Sequence, residues 1–201
     1  MLKEEEIITK TESTDPKVVP EVEIESTKET QTNLVKTISE SEEFKKINAD
    51  LQTLEKDVDT FALKLVSLMS NEDDIYTVLK IHLFAEHYLD ELICLEMPSG
   101  YKILDFEFTF WQKLRILNSM NILEDETTES LTKLNKLRNN SAHTMGYDMS
   151  VQEIDKIGRP LGPVYSKLKK ECINDKSKLL KSTLSKVLEE LFKIYYLRIN
   201  M

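Results

Sequence analysis

Phe44, Ile47, Leu51, Leu54, Val58, Phe61, Leu65 and Leu68 follow one another at intervals of 3, 4, 3, 4, 3, 4 and 3 residues. That rhythm puts all eight on one stripe of an α-helix and does not fit the two-residue alternation of a strand. Charged residues interleave the stripe, so a long amphipathic helix is predicted over residues 38–72, with Ser39 or Ser41 able to cap its start. Two readings of the seam stand. Either it packs on its own domain, or it forms a coiled coil with another chain.

Helical spacing also governs the rest of the chain. A strongly apolar helix is expected over 73–95, ended by Pro98-Ser99-Gly100. The next is expected over 106–121, with Phe106, Phe110, Leu114, Leu117 and Met120 along one side. A third, 127–142, carries Leu131, Leu134 and Leu137. Ser150-Val151-Gln152-Glu153 has the spacing of a capping box opening a short helix, and residues 158–163 read as a tight loop. The terminal helix, 176–199, has Leu180, Leu184, Leu188 or Leu191, and Tyr195 as its stripe. No segment alternates convincingly as a strand, and no internal repeat is visible. The fold class is therefore all-α.

The ends differ sharply. Residues 1–37 contain no aromatic residue, are rich in Glu, Thr and Lys, and hold Pro16 and Pro20. Such a stretch buries too little apolar surface to offset its ordering entropy and is expected to be a disordered acidic tail. The net charge of −9 is unevenly spread: residues 1–43 hold 5 Lys against 12 Asp and Glu, while 156–201 hold 11 Lys and Arg against 4 Asp and Glu. That basic end is either an electrostatic footprint for RNA or an ordinary solvated helix face. The chain is thus divided into tail (1–37), heptad helix (38–72) and helical domain (73–201).

Several function classes lack their residues. With only 4 Gly, neither a dinucleotide loop nor a P-loop is present. Cys94 and Cys172 match no metal or redox spacing, which fits a reduced, cytoplasmic setting. The three histidines, His82, His87 and His143, form no ligand set, so no metal or cofactor is expected. The acidic start is unlike a signal peptide, and no apolar run spans a bilayer.

Two polar groups begin on apolar faces. Ile75, Leu79, His82, Glu86, Leu89 and Ile93 share one face of the 73–95 helix, whereas Lys80, His87 and Glu91 face solvent. A carboxylate in such a stripe must be paired. Arg138 shares a face with Leu131 and Leu134, so an Arg138–Glu86 pair is expected, partly buried. Its bland reading is a purely structural ion pair.

Arg138-Asn139-Asn140-Ser141-Ala142-His143 then ends the 127–142 helix before Gly146. Arginine holds phosphate in a planar fork, and histidine moves protons near neutral pH. The run resembles the Arg-x4-6-His signature of HEPN domains, in the form Arg-Asn-x-x-Ala-His. Residues 81–93, Ile81-His82-Leu83-Phe84-Ala85-Glu86-His87-Tyr88-Leu89-Asp90-Glu91-Leu92-Ile93, resemble an early helix of the mannitol-repressor-like branch. The likeness extends roughly over residues 70–200, a domain-sized span. It implies a HEPN-like helical bundle, a homodimer, and metal-independent RNA cleavage by 2′-hydroxyl attack, in phage defence or stress response, as in related toxins. Arg138, Asn139 and His143 would be catalytic, supported by Glu86, His82 and Asp90. It equally implies a non-enzymatic regulator that binds nucleic acid or protein partners. The tyrosine that antitoxin-silenced members carry two residues after the His is here Met145, with Tyr147 nearest. Arg138 and His143 diverge by about 140° on an ideal helix. Either the helix unwinds near Ala142, or two copies assemble one site. The bland reading of His143 is a cap on the helix dipole.

Overall fold

Every regular element among the described residues is a helix, which agrees with the all-α expectation. The computed structural model describes residues 42–70 and 73–200. The acidic tail and the capping serines Ser39 and Ser41 lie outside them. The helices are α1 (Glu42–Met69), α2 (Asp74–Glu96), α3 (Gly100–Leu104), α4 (Phe110–Ser119), α5 (Asp125–His143), α6 (Val151–Gly158), α7 (Pro163–Glu171) and α8 (Lys176–Ile199). No described helix is long and apolar enough to cross a membrane.

The chain divides into two compact units, Met1–Val58 and Asp59–Met201. The described part of the first is the N-terminal portion of α1, whose seam residues Ile47 and Leu51 are each 55% exposed. In the second unit, the same stripe behaves differently. Phe61 and Leu65 are 6% and 8% exposed, and Leu68 packs beside them against the core.

The second unit is organised around α2. This helix buries Val78, Ile81, Ala85, Leu89, Leu92 and Ile93, a wider arc than one stripe, because α8, α5 and α4 all pack on it. Helices α2 and α8 run in the same direction. Ser177 Oγ donates to Asp74 at their N-terminal ends, and Arg198 pairs with Glu96 at their C-terminal ends. Between them, Tyr88 meets Phe192 and Tyr195, and Phe192 stacks on Phe61 at 4.1 Å between ring centroids.

Local chemistry sets the boundaries. Asp73 caps α2 by accepting from the backbone N–H groups of Ile75 and Tyr76. The expected capping box at Ser150 and Glu153 is formed. The helix expected over 106–121 begins only at Phe110, and Phe106 is 78% exposed. Thr109 forms a capping box with Gln112, and Glu107 just before it has φ 52°, which takes the chain out of helix. Residues 158–163 contain a turn of 3-10 helix (Arg159–Leu161), and α7 follows it unforeseen. Pro163 opens α7 at the first position, where a missing N–H costs nothing. Gly158 is required by packing: a Cβ there would lie 2.1 Å from the Tyr165 ring. The ring so seated donates its hydroxyl to Asp155 at 2.6 Å.

Candidate functional site

The polar residues expected to act together fall into two groups. The first is enclosed between α2, α4 and α5. His82 is 3% exposed and stacks on Phe110, ring centroids 4.2 Å apart. Its Nε2 lies 2.9 Å from Asn135 Oδ1, and Nδ1 has no hydrogen-bond partner among the described residues. The Asn135 contact assigns the proton of a neutral ring to Nε2. Burial holds the imidazole below its ordinary pKa, against the opposing pull of Asn135 and Glu86.

Glu86 is answered, but not by Arg138. Lys113 of α4 donates to Glu86 Oε1 at 2.9 Å and to Asp90 Oδ2 at 3.0 Å, and its Nζ lies 2.7 Å from Asp90 Oδ1. The expected Arg138–Glu86 pair is thus replaced by a lysine clamped between two carboxylates. The reason is positional: α4 packs on both α2 and α5, and Lys113 on its buried side reaches the carboxylates. Burial lowers the lysine pKa, and the two carboxylates more than reverse that, leaving it raised.

The second group is at the end of α5. The helix runs unbroken through His143, and the Thr144 N–H returns to Asn140 O. It does not unwind near Ala142, so Arg138 and His143 keep their divergence of about 140°. Arg138 is half-buried, and its Nη1 donates to Asn139 Oδ1 at 3.1 Å. Asn139 and His143 are exposed. The cation on the His143 face is Lys136, seven residues earlier and about 20° away around the helix.

Beside that face is a hollow lined by Lys133, Lys136, Leu137, Asn140, Glu153 and Lys156. Its floor is fixed by a hydrogen bond from Tyr147 Oη to Glu153, which also accepts from the Ser150 N–H at 3.0 Å. Burial, then Glu153, pushes the Tyr147 hydroxyl up to about 12. Burial would raise Glu153, but bonds from Tyr147 and Ser150 hold it below the usual carboxylate range. The carboxylate is therefore charged, and three lysines line the same hollow, of which Lys133 pairs with Glu129.

Several basic groups of the C-terminal end are ion-paired, some with carboxylates from elsewhere in the chain. Lys169 pairs with Asp155, Lys176 with Asp148, Lys186 with Glu189, Lys193 with Glu190 and Arg198 with Glu96. Next to the motif, the lysines lining the hollow are Lys133 and Lys136 of α5 and Lys156 of α6. Lys136 and its seven-residue spacing from His143 were readable in the sequence; Lys113, Asn135 and the hollow depend on how helices meet.

Compared with known proteins, the chain matches no family model, no curated protein and no solved structure.

Proposed function

We propose that this chain is a HEPN-like, metal-independent endoribonuclease that cuts RNA as a homodimer in phage defence or stress response. One observation carries the proposal: Asn139 and His143 stand exposed with half-buried Arg138 at the end of a core helix, while neighbouring Glu86, Asp90 and His82 are occupied with one another's surroundings. Groups left accessible at a rigid helix end are available to a ligand. In the reaction, the ribose 2′-oxygen forms a bond to the adjacent phosphorus as the bond to the 5′-oxygen breaks. His143 takes the 2′-hydroxyl proton or delivers one to the departing 5′-oxygen. Arg138 stabilises the charge on the phosphoryl oxygens, and Asn139 holds Arg138 or contacts phosphate. Because Arg138 and His143 diverge on one helix, each would come from a different copy.

The same divergence favours a second reading. His143 and Lys136 share one face beside the hollow lined by Lys133 and Lys156, which suits contact with a phosphate backbone without cleavage, as in a regulator. Purified protein incubated with total RNA in excess chelator separates the two. Cleavage leaving 2′,3′-cyclic phosphate ends supports the nuclease. Binding without cleavage supports the regulator, and activity lost in chelator but restored by magnesium rejects the mechanism. If cleavage is seen, mixing inactive Arg138→Ala and His143→Ala chains under subunit exchange should restore part of it.

A further inference from the structure

The apolar stripe of α1 is used over only part of its length. Phe61, Leu65 and Leu68 are taken up by the core of the second unit. Ile47, Leu51 and Val58, in the same heptad register, are 55%, 55% and 44% exposed. With Leu54 they form an a/d seam over nearly two heptads. An exposed seam at regular helical spacing is the shape that receives another helix.

Charge decides which helix. With Leu51 and Val58 at a, and Ile47 and Leu54 at d, the flanking e and g positions hold Asp50, Glu55 and Asp57. The cations Lys45, Lys46 and Lys56 lie at b, c and f, on the far side. A second copy is a poor occupant. In a parallel pair Asp50 would face Glu55 of the other copy; in an antiparallel pair Asp50 and Asp57 would face carboxylates again. Like charges across a seam select against self-pairing.

We propose that the α1 seam around Ile47, Leu51, Leu54 and Val58 docks a basic amphipathic helix of another protein, one with apolar a and d positions flanked by Lys or Arg. Such a partner neutralises Asp50, Glu55 and Asp57 while covering the four apolar side chains. The seam shares no residue with the end of α5, so its occupation stands or falls independently of RNA cleavage.

The test uses the full chain and three synthetic peptides of about 24 residues, long enough to complete a helix on contact. The first has Ile at a, Leu at d and Lys at e and g. The second has Glu at e and g. The third is a scramble of the first. Fluorescence anisotropy should show the Lys peptide binding at least about tenfold tighter than either control, and weakening with salt. Leu51→Asp with Val58→Asp should abolish binding without lowering the melting temperature, since both positions are exposed. Asp50→Lys with Asp57→Lys should transfer the preference towards the Glu peptide. Equal binding of the scramble, or binding indifferent to Leu51→Asp, overturns the proposal. So does failure of the full chain to bind the Lys peptide, the result if its own residues 1–41 cover the seam. A dimer of the full chain that Leu51→Asp dissolves assigns the seam to a second copy instead.

Discussion

Two clusters of polar side chains border α5 and obey opposite rules. Around His82, Glu86, Asp90, Lys113 and Asn135, the side chains bond one another inside the protein. On the solvent side of the same helix, Asn139, His143 and Lys136 face water. The enclosed cluster spends its hydrogen bonds on holding α2, α4 and α5 together. The open one leaves these side chains accessible to solvent. Enclosure, more than residue type, separates the buried His82 from the exposed His143.

That contrast breaks first at His143. His143→Ala should lower RNA cleavage by about 10²–10⁴, the usual loss for a proton-transfer group, with no change in melting temperature. Unchanged cleavage would move His143 to the role of a helix cap. Next, Lys113→Ala should destabilise the protein by about 2–3 kcal/mol, because it strips two carboxylates of their donor although water still reaches them in part. Urea denaturation measures this, and a loss below about 0.5 kcal/mol would show that the clamp is incidental. A smaller effect attends His82. Its folded pKa lies below its unfolded one, so the unfolded state binds the extra proton first. Its contribution is complete above about pH 6.5 and declines as pH falls below that, by at most about 1.4 kcal/mol per pH unit. Glu86, Lys113 and Arg138 face it, so the comparison is with His82→Gln, which should flatten the slope between about pH 6.5 and 5. Last, Arg138→Ala should leave stability within about 0.5 kcal/mol, since its partner Asn139 is exposed. A larger loss would place Arg138 in the enclosed cluster after all.

The helices were legible where apolar spacing is regular. α2 and α8 fall within a residue or so of their expected bounds, and the burial of His82 follows from its place among Ile75, Leu79 and Leu89. Phe106 misled because an aromatic at the right interval looks like a core residue, while the Thr109–Gln112 box that starts α4 leaves it outside. α7 was hidden by Gly158, Pro160, Gly162 and Pro163, residues that usually mark loops. Periodicity reports which face of one helix is apolar. It does not report which helix comes to meet that face, so the partner of Glu86 was out of reach, 27 residues away on α4. The motif at the end of α5 was legible as residues, and its divergent geometry followed from helix pitch alone.

The parallel pairing of α2 with α8 has a consequence for how the protein is made. Its two members stand about a hundred residues apart in the chain, and Phe61 meets Phe192 across a still longer interval. A ribosome releasing this chain delivers α2 long before the helix that covers it. Until α8 emerges, much of the apolar surface of α2 has no native cover, and the core cannot close. Closure of this core is thereby postponed until α8 has been made, and a chain cut short before α8 carries an exposed sticky face that invites aggregation or proteolysis.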